Sequence, residues 1–410
     1  MNFPGIKPCD ILLPSEKVDL SKWAVVACDQ FTSQPEYWNQ VEEIVGKSPS
    51  TLRLMQPEAF LNRGNRTRKV NATMRRYLRN RTLKTAVKDG FIVVERTTET
   101  GKRIGLMAAL DLECYDYTTG DLLVRATEGT VVDRLPPRVA IREKAMLELP
   151  HVLVLIDDAQ RTVIEPLYNT VQTGAPLYDV ELMQNGGHLR GWAVEDVDAK
   201  RVLADALNAL AEKVDGFLYA VGDGNHSLAA AKKHWELVKE ELLPTEQATH
   251  PARYALVELE NLHDEAIQFE PIHRVLFHVD GADVVNGFKA YVAQEGITLT
   301  EGDDIVFIGH GSYALENADG RLPVAVLQTY LDAYLKSHQG AEIDYIHGED
   351  AVRELAAAPD ALGILLKGIP KDGFFDGIRA DGHLPRKTFS MGEAHEKRYY
   401  MECRKIRLKR

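Results

Sequence analysis

The residues best able to do chemistry stand together in one stretch, FLYAVGDGNHSLAAA, from Phe217 to Ala231. The pattern is that of a strand, a tight turn and the start of a helix. Gly222 and Gly224 let a ligand approach the backbone closely, and the N–H groups at a helix start make an anion site. On this reading Gly222, Gly224, Asn225 and Ser227 cradle phosphate. Asp223 suits a magnesium ion, a hydroxyl or a general base, and His226 can donate to a phosphate oxygen or move a proton. The same residues also fit a plain strand-to-helix turn in which Asp223 caps the helix. A second constellation, RATEGTVVDRLPPRVAIREK, runs from Arg125 to Lys144 and sets Arg125, Arg134, Arg138 and Arg142 among Glu128, Asp133 and Glu143. Arg138 and Arg142 are four apart and share a helix face. Guanidinium groups grip phosphate or carboxylate in bidentate fashion, and Glu128 would act as base or bind magnesium. A surface ladder of ion pairs would use the same spacing.

Several other patterns fail. A dinucleotide fingerprint needs glycine or alanine where Ser227 stands, and the acidic residue expected about 20 positions later falls inside a helix near Glu240 and Glu241. Gly46-Lys47-Ser48 resembles the end of a phosphate-binding loop, but Val41 occupies the first glycine position. His263, Glu270 and His273 lack zinc-ligand spacing. No G-x-S-x-G elbow is present, and no cysteine sits in a protease setting.

These groups must be positioned by alternating strands and helices, the mark of α/β or α+β layers. Trp23 to Cys28 reads as a buried strand. Ser33 can cap a helix that has Pro35 in its first turn. Arg63 to Lys88 holds ten Lys or Arg and no acid, with Val70, Met74, Tyr77 and Leu78 at helical spacing. Such a helix would bind RNA or an acidic partner, or present a solvated face. Phe91 to Thr97 and Arg103 to Leu112 form an antiparallel pair around Glu99 to Lys102, a helical stretch follows Pro136-Pro137 to Leu149, and His151 to Asp157 is a strand. Leu177 to Met183 and His188 to Ala193 make a further hairpin. A helix spans Val197 to Val214, and another runs from the turn to about Leu243. The polar stretch Pro244 to Pro251 divides the chain into α/β domains at 1–245 and 250–410. In the second domain Tyr254 to Leu259, Asp304 to Gly309, Val324 to Val326, Ile343 to Ile346 and Leu362 to Leu366 read as strands.

The chain has 410 residues with 49 basic and 61 acidic side chains, a formal net charge of −12. That balance argues against a nucleic-acid coat while leaving local basic surfaces open. Four scattered cysteines, Cys9, Cys28, Cys114 and Cys403, exclude a C-x-x-C motif and fit a reducing compartment. The amino terminus reads as no signal peptide, and no apolar run is long enough to span a membrane, so the expected location is cytoplasmic.

Four blocks, VRATEGTVVDRLPPRVAIREKAMLELPHVLVLIDD, VGDGNHSLAAAK, PIHRVLF and HLPRKTFSMGEAHEKRYYMECRKI, resemble the prokaryotic family catalogued as domain of unknown function ten-fifteen. The family's DGHHR-type motif is similar to that of the ParB/sulfiredoxin-like superfamily. Its members bind nucleotides at a helix start and include a free-serine kinase, sulfiredoxins and CTP-dependent switches. The resemblance implies a ParB/sulfiredoxin-like nucleotide site within a larger mixed-sheet amino-terminal region. Asp223, Gly224 and His226 match the motif. Asn225 stands where sulfiredoxins carry the reactive cysteine, which excludes their chemistry. Ser227 replaces the motif arginine, so a phosphate grip would call on an arginine from Arg125 to Arg142.

The expectation is a magnesium-dependent enzyme that uses ATP or ADP, either as a kinase of a small hydroxylated metabolite or as a nucleotide hydrolase. Asp223, His226 and Glu128 would be its catalytic residues, and Asp223 its magnesium ligand. The alternatives are a non-catalytic nucleotide-gated switch and an RNA-associated protein that uses Arg63 to Lys88. In the carboxy-terminal block, Tyr399-Tyr400 would stack a base or pack in a core.

Overall fold

The computed structural model describes residues 1–407 apart from 33, 64–65, 119–121, 131, 133–134 and 386, and omits the side chains of 61–63 and 380–381. Ser33, Asp133 and Arg134 therefore lie outside the described residues. The chain forms two compact units: Met1–Ala126 with Thr130–Gln268 and Gly392–Arg410, and Thr127–Gly129 with Phe269–Met391. The proline-bounded segment 244–251 does not separate them. It lies inside the first unit, as a short helix Pro244–Gln247 leading through Pro251–Arg253 into a central strand.

The first unit is built on an eleven-stranded mixed sheet. Its strands are β1 (Ile6–Lys7), β2 (Cys9–Pro14), β3 (Leu83–Thr98), β4 (Gly101–Asp111), β5 (Tyr115–Asp116), β6 (Val124–Ala126), β8 (Leu153–Ile156), β9 (Tyr178–Glu181), β10 (His188–Val194), β11 (Tyr219–Asp223) and β12 (Tyr254–Asn261). The short β7 (Leu147–Glu148) lies outside it. The order is β5-β6-β11-β8-β12-β4-β3-β10-β9, with β1 on β4 and β2 on β3. Alternation along β3 and β4 feeds two cores. Phe91, Val93, Leu106 and Ala108 belong to one, and Ile92, Val94 and Met107 to the other. A strand sends successive side chains to opposite faces, so both faces of this sheet are covered. Three expectations change. Residues 23–27 are buried and Cys28 is half-buried, but among the described residues this stretch makes a single bridge, Val26 with Tyr399. The basic helix ends at Arg79, and from Leu83 onward the chain is β3. The helix Leu135–Glu143 begins before the two prolines and stops short of Leu149, with β7 formed by Leu147–Glu148 in between.

The second unit carries β13 (Phe269–Phe277), β14 (Thr298–Phe307), β15 (Gly311–Glu316), β16 (Glu342–His347), β17 (Ala361–Leu366) and β18 (Phe389–Met391). The order is β15-β14-β17-β13-β16, with β18 also on β13. Val324 to Val326, expected as a strand, open the helix Pro323–Ser337 instead. Pro323 suits its first turn, and Val324, Leu327 and Leu331 bury one face.

The carboxy-terminal segment is threaded through the first unit. Leu12 and Cys403 exchange backbone hydrogen bonds of 2.8 and 2.9 Å, Tyr400 N–H donates to Val25 at 2.9 Å, and Ala27 N–H donates to the Arg398 carbonyl at 2.9 Å. The indole N–H of Trp23 donates to the Met401 carbonyl at 3.0 Å. The last strand, β19 (Arg404–Lys405), pairs with β7. Arg398 is 1% exposed and is held by Glu258 at 2.9 Å and by Glu402, both buried. Glu402 also accepts the Tyr178 hydroxyl. Removing one partner of a buried pair leaves an uncompensated charge, so Arg398→Ala is expected to cost about 3–5 kcal/mol in chemical denaturation.

The helix Asn225–Lys239 buries His234, which is 5% exposed. Burial, reinforced by the nearby positive charges of Arg142 and Arg407, pushes its imidazole down to about 4. The native state thus refuses a proton that the unfolded chain accepts below its ordinary value of about 6.5. This contribution is fully present above that value and is lost as pH falls toward 4. The unfolding free energy should therefore drop by about 2–3 kcal/mol over that window, and His234→Gln should flatten the drop.

Candidate functional site

Strand β11 supplies the turn. Tyr219, Ala220 and Val221 are fully buried between β6, which runs parallel, and β8, which runs antiparallel. The register with β8 shifts between Val221 and Asp223, so Gly222 sits at an irregularity after which Asp223 still pairs with Leu153. Gly224 then takes φ 81° and caps the helix Asn225–Lys239, with no side chain completing the cap. Ala229, Ala230 and Ala231 are buried, and Ala229 and Ala230 pack against Leu135 and Val139 of the helix Leu135–Glu143. Small side chains permit that close approach.

Around this turn the fold assembles groups from three distant parts of the chain. The Asp223 carboxylate accepts the Gly224 N–H at 2.8 Å and pairs with Lys397 Nζ at 3.2 Å. Lys397 is 6% exposed. His151 Nε2 lies 2.8 Å from Ser227 Oγ and 3.8 Å from the Asp29 carboxylate, while its Nδ1 lies 2.9 Å from the Tyr400 hydroxyl. The Cys28 N–H donates to that same hydroxyl at 3.1 Å. Burial pushes the Asp29 carboxyl up, but the attraction of His151, a hydrogen bond from Gln30 and the charge of Lys397 outweigh it, leaving Asp29 below the usual carboxylate value. Asp29 is thus an ionised acceptor at neutral pH, beside a buried ammonium and a helix start. Together these groups can hold an anion and take a proton from a hydroxyl.

The arginine block divides. Arg125 lies on β6 beside Ala220, its guanidinium 4.6 Å from the Phe217 ring centre. Arg138 pairs with Glu58. Arg142 pairs with Glu148, a buried carboxylate that Arg404 also holds at 2.6 Å. Burial raises the Glu148 carboxyl, and the two guanidinium groups overcome that and hold it below its ordinary value. Glu128 belongs to the second unit, where it bridges Leu384 and accepts the Lys387 N–H at 3.1 Å. Of the residues expected from sequence, the fold therefore gathers Gly222, Asp223, Gly224, Asn225, His226 and Ser227 at the turn, and Arg138 and Arg142 serve carboxylates of the first unit. His151, Lys397 and Tyr400 lie within the blocks that carry the family resemblance but had no role assigned at the turn, and Asp29 lies outside those blocks. His151 and Tyr400 are 249 positions apart. Among the described residues no group of three or more His, Cys, Asp or Glu is arranged to hold a metal ion, and no helix is long and apolar enough to cross a membrane.

Fold and site define a mixed α/β protein with a glycine-capped helix start facing a buried lysine and two carboxylates. The chain belongs to the DUF1015 family, described as a protein of unknown function, whose model matches residues 6–347. No curated protein matches it. Similar solved structures include a free serine kinase variant in complex with AMP, at TM-score 0.41 and 11% identity over 73% of this chain and 92% of that one. Others are a conserved hypothetical protein from Pyrococcus furiosus, at 0.35 and 12% over 72% and 90%, and SbnI from Staphylococcus aureus, at 0.38 and 10% over 70% and 82%. Scores in this range transfer no chemistry.

A side chain at position 224 would be strained by the positive φ and would bring its Cβ to 3.1 Å from the Val152 backbone. Gly224→Ala is expected to lower stability by about 1–3 kcal/mol in thermal or urea unfolding, because the turn cannot relax to negative φ without moving the helix.

Proposed function

We propose that the turn at Gly222–Ser227 is the phosphate site of an enzyme that transfers a phosphoryl group from ATP or ADP to a small hydroxylated metabolite. The observation that carries this reading is the convergence of Lys397, Asp29 and Asp223 around the start of the helix Asn225–Lys239. The similarity of the GDGNHS segment to nucleotide-binding DGHHR-type motifs supports it independently. The ammonium of Lys397 and the positive end of the helix dipole at Gly224, Asn225 and His226 attract phosphate oxygens. Lys397 supplies the charge that Ser227, in place of a motif arginine, does not.

In the transfer step the metabolite hydroxyl oxygen attacks the terminal phosphorus. The bond from phosphorus to the bridging oxygen breaks, its electron pair leaves with the nucleotide, and the hydroxyl proton passes to Asp29. Catalysis of this kind is mostly positioning and charge neutralisation. His151, held between Ser227 and Tyr400, orients Asp29 and is a positioning residue. Magnesium fits this donor set only as an ion carried in on phosphate oxygens, since Asp223 already serves Lys397 and Gly224; Asp223 and Asp29 are the carboxylates that would face it, where it neutralises phosphate charge.

The test is a thermal-shift series with ATP, ADP, CTP and GTP plus magnesium on the wild type, Lys397→Met and Asp29→Asn. A nucleotide at 100 times its dissociation constant should add about 2.7 kcal/mol of stability. We expect at least one to do so, Lys397→Met to abolish the shift, and Asp29→Asn to keep it while losing phosphorylated product in a screen of hydroxylated metabolites. A wild type unmoved by every nucleotide would overturn the reading. Binding without any product would leave a nucleotide-gated switch in its place.

A further inference from the structure

The basic helix remains unused by this chemistry. On Thr67–Arg79 the residues Val70, Asn71, Thr73, Met74 and Tyr77 are buried. The exposed positions are Arg68, Lys69, Ala72, Arg75, Arg76 and Arg79. At 3.6 residues per turn these six positions fall within an arc of about 120°, and all but Ala72 are cationic. Exposed Arg81, in the left-handed region at φ 56°, extends the row past the helix end. Among the described residues none of Arg68, Lys69, Arg75, Arg76 and Arg79 is in an ion pair, and the helix contains no acid to offset their mutual repulsion. This cationic face stands on a chain of net charge −12.

We propose that this face docks on the sugar–phosphate backbone of duplex nucleic acid, read by charge and not by sequence. Three observations select that partner. A protein interface needs a desolvated apolar or aromatic anchor at its centre, and the face offers only the methyl group of Ala72. A membrane-surface helix needs an apolar face to insert, and here that face is buried in the core at Val70, Met74 and Tyr77. A single strand is held by aromatic stacking platforms, and no aromatic residue is exposed on this helix. What is left is a convex row of guanidinium groups, which grip phosphate oxygens in bidentate fashion.

The test is a fluorescence-anisotropy titration of the full chain against labelled duplex DNA and duplex RNA at salt from 50 to 200 mM, with Arg68→Ala/Arg75→Ala as the variant. Five phosphate contacts give a log–log salt slope of about −4.5, so DNA affinity should fall about 500-fold over that range and about 40-fold in the variant. Both side chains are exposed, so the variant's thermal unfolding should match the wild type. Tighter binding of one duplex identifies the source of the backbone. No binding of either duplex at 50 mM salt, a variant slope equal to that of the wild type, or equally tight binding of polyglutamate would each overturn the proposal.

Discussion

Arg398 is a full charge with almost no solvent, and a charge in that position must be matched where it lies. Glu258 from β12 and Glu402 from its own segment provide the match. Next to them Arg103 and Glu260 form a second buried pair at 2.7 Å. Burial pushes the Glu260 carboxyl up to about 8, with Arg103 opposing and the neighbouring acids Glu258 and Asp264 adding to the rise. The network fixes the carboxy-terminal segment to the sheet at one register, since sliding it by a residue would leave Glu258 unpaired. The site hangs from that constraint. Lys397 precedes Arg398 and Tyr400 lies between Arg398 and Glu402, so the segment that neutralises the core also delivers the ammonium to Asp223 and the hydroxyl to His151.

The same segment joins the beginning of the chain to its end. Its backbone pairs with Leu12, Val25 and Ala27, which puts Cys28 and Asp29 beside Tyr400 and His151. A helix start alone attracts any anion weakly. A buried lysine stands on one side of this one and an ionised aspartate on the other, so its surroundings are asymmetric in charge.

The distribution of arginines explains why an acidic chain carries two cationic regions in its sequence. In the first region, Arg63 to Lys88, the charges of the helix project outward. In the second, Arg125 to Lys144, Arg138 and Arg142 turn to Glu58 and Glu148 and stabilise the fold. Spacing does not distinguish these outcomes. Both regions place arginines on helix faces, and only the carboxylates brought up from elsewhere decide whether a guanidinium is spent internally.

Local physics made the turn legible from sequence: a glycine pair between a buried apolar run and an alanine-rich helix has few other conformations, and β11, the positive φ at Gly224 and the helix behind it follow. The hairpin of β3 and β4, the helix Val197–Ala211 and the basic helix face were readable for the same reason, since periodicity and turn chemistry act over neighbours. Val324 to Val326 misled because β-branched residues suit a strand, whereas the preceding proline and the packing of Leu327 and Leu331 made a helix. The polar stretch at 244–251 misled because a break in periodicity marks a loop as readily as a boundary. Asp29, His151 and Lys397 lay beyond reach for a deeper reason. Each sits in a separate stretch of the chain, and the pairing of a buried Arg398 with Glu258, a tertiary requirement with no local spacing, brings them together. The sequence by itself determined the turn and its helix; the tertiary structure decided which charges face it, because charge pairing across hundreds of residues depends on burial and not on neighbours.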